Sequence, residues 1–424
     1  MKTISPSENI LPCEECGLLV DVPPLEQGYT AKCPRCEHTL TKSTVSPYQA
    51  AIALAIAGLV SLGLSLYFPF MSFSVQGLSQ EINLLQAAQM LGEYQNSLLG
   101  LLLFTTVVVL PALYLLIVSY LYLKAGYSTT RPLTSVEISF ANRLCKILFS
   151  VQPWLMVEIF LIGVLVSLIK IASLAEISMG YSFWSFCLFT VLVVKCVSTV
   201  ERVWLWEHFV PSTLPQGVTA GDQQSNHLVC HLCREINPAG AERCGRCHSK
   251  LHRFDPDTNL QKSWALLIAS VIFYIPANIY PMMYTVSLGK AEGSTILEGV
   301  ILLWKLGSYP IALVIFFASI LIPLAKILSL GWLFHSVRKP QGAEGNLARL
   351  KLYRITEFIG RWSMIDIFVV AILVALVQLK SIMAIYPGPA ALWFALVVIS
   401  TMLSAMIFDP RNIWNNNSQV EQPN

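Results

Sequence analysis

The sequence predicts an all-α polytopic membrane protein with about eight transmembrane helices. They form two duplicated four-helix halves, each preceded by a small four-cysteine ribbon. Three observations predict this. Hydrophobic residues make up 55% of the 424 and charged residues only 12%, with a mean hydropathy of +0.61, against roughly 25% charged residues in a soluble domain. The chain repeats itself at a nearly fixed offset, and each repeat opens on two CxxC turns. The expected divisions are 1–46 for the first ribbon, 47–210 for the first four-helix repeat, 211–256 for the second ribbon, 257–410 for the second repeat, and 411–424 for a polar, disordered tail.

The repeat is legible residue by residue. YFPFM at 67–71 returns as IYPMM at 279–283, NLLQ at 83–86 returns as TILE at 295–298, and Pro111 matches Pro323, all at an offset of 212. VEIFLIGVLVSLIKI at 157–171 matches IDIFVVAILVALVQL at 365–379, and Glu201 matches Asp409, at an offset of 208. The halves are therefore expected to differ by four residues in one loop. Such duplication is the signature of a membrane device with two pseudo-symmetric halves.

A hydrocarbon core of about 30 Å needs about 20 apolar residues per helix. Stretches near 49–70, 97–121, 154–175, 182–201, 263–283, 309–334, 363–383 and 388–408 qualify. The first 48 residues carry cysteines, prolines and charges without an apolar core, so no cleavable secretion signal is expected. Lys124, Arg131, Arg143 and Lys146, then Arg338, Lys339, Arg349, Lys351, Arg354 and Arg361, lie in the second and sixth loops, whereas 71–96 has no basic residue. Positive charge beside span ends stays cytoplasmic. Both termini and both ribbons are expected there. The outer loops begin with alternation, Met71, Phe73, Val75 and then Tyr284, Val286, Leu288, each ended by glycine. That pattern predicts a short strand in each half, pairing with its counterpart or offering an edge to a partner.

Cys13, Cys16, Cys33 and Cys36 form two CxxC turns sixteen residues apart, and Cys230, Cys233, Cys244 and Cys247 form two turns ten residues apart. Two such turns supply four sulfurs at about 2.3 Å in a tetrahedral shell, leaving no open position for a substrate. Domains this small cannot bury a sufficient core, and the metal supplies the missing folding free energy. Zinc is the expected ion, iron in a rubredoxin-like site the alternative, and disulfides are disfavoured in a reducing compartment. Cys145, Cys187 and Cys196 lack CxxC spacing and are read as small buried hydrophobes.

Ionisable residues within spans come next. Glu158 and Asp366 occupy the same repeat position one turn into spans three and seven, Lys326 lies two-thirds along span six, Lys195 in the middle of span four, and Lys170 towards the outer end of span three. Each such charge costs at least about 2.5–3.5 kcal/mol at a helix centre, so it pairs, lines a wet cavity or snorkels. A Lys326–Asp366 pair is expected, in a polar network with Ser319, Ser363, Gln378 and Thr401 as neighbours. Pro69, Pro111, Pro276, Pro281 and Pro323 mark span ends or kinks. No GxxxxGK[ST], HExxH or GxSxG occurs, and all seven histidines fall outside span interiors. ATP hydrolysis, metalloprotease, serine-hydrolase and membrane-haem chemistry therefore lack their residues, and neither an enzyme nor a nucleic-acid partner is indicated.

LPCEECGLLVDVPPLEQG, YTAKCPRCEHTL, EIFLIGVLVSLIK, STILEGVILLWKLGSYPIA, FIGRWSMIDIFVVAILVALV and the closing FDPR together resemble the paraquat-inducible protein A family of Gram-negative bacteria, which includes LetA, over nearly the whole chain. STILEGVILLW and FDPR look closer to paraquat-inducible protein A than to LetA. The resemblance implies an inner-membrane partner of an MCE-domain protein that forms a periplasmic tunnel, loading phospholipid into it or receiving phospholipid from it. It further implies that Lys326, Ser363, Asp366 and Thr401 form a polar network coupled to lipid passage. The first half departs from that set, with Tyr114 at the position of Lys326 and Glu158 at that of Asp366. Apolar spans bearing a few charges suit an amphipathic lipid. A purely structural anchor for the MCE partner and an iron-containing redox protein are the rival expectations.

Overall fold

The computed structural model describes residues 10–43, 47–75, 78–83, 97–128, 133–172, 176–215, 217–221, 227–287, 290–305, 307, 309–362, 364–365, 368–369, 378–379 and 383–415. The first ribbon holds two hairpins, β1 (Ile10–Pro12) with β2 (Leu19–Asp21) and β3 (Thr30–Lys32) with β4 (Thr39–Lys42). The first repeat runs α1 (Pro47–Tyr67), β5 (Met71–Val75), β6 (Leu78–Ile82), α2 (Ser97–Phe104), α3 (Leu110–Ser128), α4 (Ser135–Val151), α5 (Val157–Ala172), β7 (Glu176–Met179), α6 (Tyr181–Thr199) and the short α7 (Arg202–Phe209). After the second ribbon, with β8 (His227–Val229) and β9 (Ile236–Pro238), the series returns as α8 (Pro256–Ile279), β10 (Met283–Ser287), β11 (Lys290–Ser294), α9 (Ile296–Lys305), α10 (Tyr309–Phe316), α11 (Ile322–Ser336) and α12 (Ala343–Trp362). It ends on β12 (Gln378–Leu379), β13 (Met383–Pro387), α13 (Pro389–Ile407) and α14 (Asn412–Asn415).

Among the described residues, seven helical runs are long and apolar enough to cross a membrane. They leave large apolar side chains such as Val60, Leu188, Ile272 and Leu328 exposed, a surface that is stable against lipid and aggregation-prone in water. The chain is a multi-pass membrane protein. Most of the expected span 363–383 falls outside the described residues. Its far end is strand rather than helix, since Gln378 pairs with Ala384 in β12–β13. The second and sixth loops contain helices, α4 and α12. In α4 a capping box between Thr134 and Glu137 starts the helix, and Ala141, Asn142, Cys145, Leu148 and Phe149 are buried at helical spacing. Lys195 sits four residues from the end of α6 rather than at mid-span and is exposed, a snorkelling position.

The duplication carries into detail. Leu110 N–H donates to Thr105 O and Ile322 N–H to Phe317 O, each five residues back, making π turns at Thr105–Val109 and Phe317–Leu321. Pro111 and Pro323 follow directly, and a widened turn relieves the ring's clash with the preceding turn. The four-residue difference between the halves falls in a helix, not a loop: α3 has 19 residues and α11 has 15, about one turn. The expected strands form at the end of the bundle opposite the ribbons, but they do not pair with each other. β5 lies between β6 and β7, and β10 lies between β11 and β13. The halves meet where Phe160 and Phe368, the same repeat position, stack edge to face with centroids 5.6 Å apart. A residue that touches its own counterpart marks the pseudo-twofold axis.

Within each half small polar residues let helices approach closely. Ser61 Oγ donates to Ser185 O at 2.9 Å between α1 and α6, and Ser404 Oγ to Ser263 O at 2.8 Å between α13 and α8. Each sheet is joined to the following helix by a glycine against backbone. A Cβ on Gly180 would lie 2.1 Å from Pro69 O, and one on Gly388 2.0 Å from Pro281 O. Both glycines have ordinary negative φ, so space is the constraint. Gly180→Ala or Gly388→Ala is expected to cost about 3 kcal/mol, read as a lower melting temperature in detergent and lower membrane abundance. Unchanged melting would show that the junction yields.

Candidate functional site

Both cysteine clusters are built from four equivalent turns. Gly17, Glu37, Arg234 and His248, each directly after the second cysteine of a CxxC, take positive φ of 73°, 59°, 60° and 56°. Their N–H groups donate to Cys13, Cys33, Cys230 and Cys244 O at 3.0, 2.9, 2.9 and 2.9 Å. Three of these positions are not glycine, so the turn is imposed by the assembled cluster against local preference. Neighbouring sulfurs lie 3.4 to 3.5 Å apart, and all four in each group fall within 4.8 Å of one another. A tetrahedron of sulfurs around zinc has edges of about 3.8 Å. The donor sets therefore fit a four-thiolate metal with small shifts. The cysteines outside the clusters are separate: Cys145 and Cys196 are buried and Cys187 is partly so.

The ribbons cross over. The first ribbon's core is continuous with Leu330, Phe334, Phe408 and Trp414 of the second repeat, and the second ribbon's cysteines join the core of the first repeat. Arg35 and Arg246, the third residues of equivalent CxxC turns, reach corresponding short helices of opposite repeats, by different contacts. Arg35 lies over Trp414 of α14, 4.5 Å from the ring centre. Arg246 donates to Val210 O at 2.6 Å and pairs with Glu207 of α7 at 2.7 Å. Arg354 of α12 pairs with Glu15 and donates to Cys36 O at 2.8 Å. Glu14 bridges the two ribbons and the first repeat, 2.6 Å from Arg234 Nε and 2.7 Å from an Arg202 guanidinium nitrogen. Burial opposes its ionisation, yet Arg234 and Arg202 outweigh that and hold the carboxyl below the usual carboxylate range.

Where the two repeats meet on the ribbon side lies a cavity of about 500 Å³, a volume typical of small-molecule sites. Its wall is mostly apolar, with Phe149, Leu155, Val193, Val197, Met402 and Met406, and among the described residues holds four charged ones, Glu158, Arg202, Lys326 and Glu357. Lys326 is 3% exposed, and its described partner is Gly360 O, 3.5 Å from Nζ. A Cβ on Gly360 would sit 3.0 Å from Nζ, so glycine there lets the ammonium approach the helix backbone. Arg202 is held by Glu14 and lies 4.9 Å over the Phe149 ring.

Of the expected network, Lys326 and Glu158 share this cavity. Thr401 is buried beside it, its hydroxyl donating within α13 to Val397 O at 2.9 Å and Val398 O at 3.0 Å. Ser319 is buried in the π turn. Ser363 and Asp366, and with them the expected Lys326–Asp366 pair, lie outside the described residues. Lys170 stands near the far end of α5, and its side chain is likewise not described. Tyr114, at the position of Lys326 in the first half, is fully buried. Arg202, Glu357 and Gly360 escape sequence reasoning because nothing in their local pattern shows that two repeats converge on them. Gly360 does fall inside FIGRWSMIDIFV.

The family model described as paraquat-inducible protein A matches residues 48–210 and 260–418. The chain is 41% identical, over 96% of itself and 96% of the relative, to the intermembrane transport protein PqiA of Escherichia coli (strain K12). It is 29% identical, over 95% of itself and 90% of the relative, to the lipophilic envelope-spanning tunnel protein A of the same organism. A probable intermembrane transport protein of Haemophilus influenzae is 28% identical over 97% of both chains. No solved structure matches. With both repeats covered and the identity spread over the whole length, the chain belongs to the paraquat-inducible protein A family.

Proposed function

We propose that this chain is the inner-membrane component of an intermembrane lipid transport system. It loads phospholipid into, or receives it from, a periplasmic tunnel of MCE-domain protein. The observation that carries the reading is the cavity between the repeats, apolar for most of its wall and charged at Glu158, Arg202, Lys326 and Glu357. An amphipathic lipid needs both surfaces, and a structural anchor needs neither. The relatives' names as intermembrane transport proteins support it. In this reading Lys326, Ser363, Asp366 and Thr401 serve lipid passage, Glu158 and Lys170 contribute from the first half, and the chain is not an enzyme.

The basic loops support a cytoplasmic position for both termini and both ribbons, which leaves the two sheets outside, towards the partner. Zinc is the proposed ion at Cys13, Cys16, Cys33 and Cys36 and at Cys230, Cys233, Cys244 and Cys247. Bound there, zinc supplies folding free energy and fixes the crossed ribbons. The test is a photo-crosslinking residue at Met402, inside the cavity, with one at exposed Leu188 of α6 as control. Cells labelled with radioactive phosphate are expected to attach phospholipid at Met402 well above Leu188. Equal labelling would leave an anchor without a lipid path.

A further inference from the structure

Resting on the reading that lipid enters this cavity, we infer that it selects a zwitterionic headgroup bearing both a phosphate and a primary ammonium, the phosphoethanolamine class. Among the described residues, charges of both signs line it, Arg202 and Lys326 with Glu158 and Glu357. A wall of cations alone would favour an anionic headgroup, and carboxylates alone would repel the phosphate. A phosphate and an ammonium together need both signs, and this wall offers both. The phosphate is met by Arg202 and Lys326. Arg202 is fixed from behind by Glu14, and Lys326 is almost wholly withdrawn from solvent, where a charge-assisted hydrogen bond counts most. Among the described residues Glu158 makes no ion pair, so its carboxylate is available to an incoming N–H donor.

The same wall discriminates against a quaternary ammonium. Such groups have no N–H to donate and are recognised on aromatic faces. Phe149 is the aromatic residue in the lining, and the Arg202 guanidinium already covers its ring. The volume of about 500 Å³ accommodates the headgroup and glycerol, with the acyl chains extending along the exposed apolar helix faces.

The test uses the full chain, carrying the photo-crosslinking residue at Met402, in nanodiscs containing phosphatidylethanolamine, phosphatidylglycerol and phosphatidylcholine at equal mole fraction. Intact mass identifies the attached lipid. The ethanolamine lipid is expected to exceed each of the others by about tenfold, and Glu158→Gln with Glu357→Gln to abolish that preference while labelling by phosphatidylglycerol persists. Equal labelling by phosphatidylglycerol, or a preference unchanged in the double variant, overturns the headgroup inference and leaves the lipid path standing. No lipid above the Leu188 control overturns both. Excess soluble glycerophosphoethanolamine is expected to compete, whereas full displacement by inorganic phosphate alone would show a simple anion site and overturn the assignment.

Discussion

Cys33→Ser with Cys36→Ser is expected to halve the metal content of the purified protein, from two ions per chain to one, and to release the first ribbon for proteolysis. The magnitude follows from what holds that segment. Its strands are three or four residues long, too little structure to persist without metal, and a structural zinc site carries about 10–16 kcal/mol of apparent binding free energy. The crossing makes the consequence remote in sequence. Losing the first ribbon removes Glu15 from Arg354 and Arg35 from Trp414 in the second repeat, and Glu14 from Arg202 at the cavity wall. Cys244→Ser with Cys247→Ser acts on the opposite repeat, where Arg246 loses Glu207 and Val210 O. Metal content by elemental analysis and mapping of protease cuts check both. Two ions retained in either variant would refute the four-thiolate assignment.

The second large effect is at Lys326. Lys326→Ala is expected to cut lipid passage about tenfold while leaving abundance and partner binding intact. A buried ammonium against a backbone carbonyl in an apolar wall costs stability rather than adding it, so its removal does not unfold the helix that bears it. Lys326→Met controls for the lost volume and is expected to be equally impaired. Restoration by methionine would show that the side chain serves packing.

Much of this was legible in the residues. The paired CxxC turns, the two repeats and the strands after Phe70 and Met282 follow from spacing and alternation alone. Pro111 and Pro323 predict span ends or kinks, and the π turns are how the backbone accommodates them. Other features depend on long-range placement. Loops two and six are rich in charge and looked like connections, yet α4 and α12 bury one face each against the bundle and carry the residues that grip the ribbons. Which ribbon sits on which repeat has no local signature, although Arg35 and Arg246 share one position in their turns. Arg202 stands beside Glu201, the counterpart of Asp409, and only the convergence of the two halves makes it part of a cavity with Lys326.

Transfer of lipid out of the bilayer tests the central claim most directly. Liposomes carrying fluorescent phospholipid and either the wild-type chain or Lys326→Ala would be offered the soluble part of the proposed MCE-domain partner as acceptor. Wild type is expected to pass lipid to the acceptor above protein-free liposomes, and Lys326→Ala to pass about tenfold less, the loss of roughly 1.4 kcal/mol of charge-assisted contact, with equal partner binding. Equal transfer by the two proteins would contradict a lipid path through the cavity between the repeats.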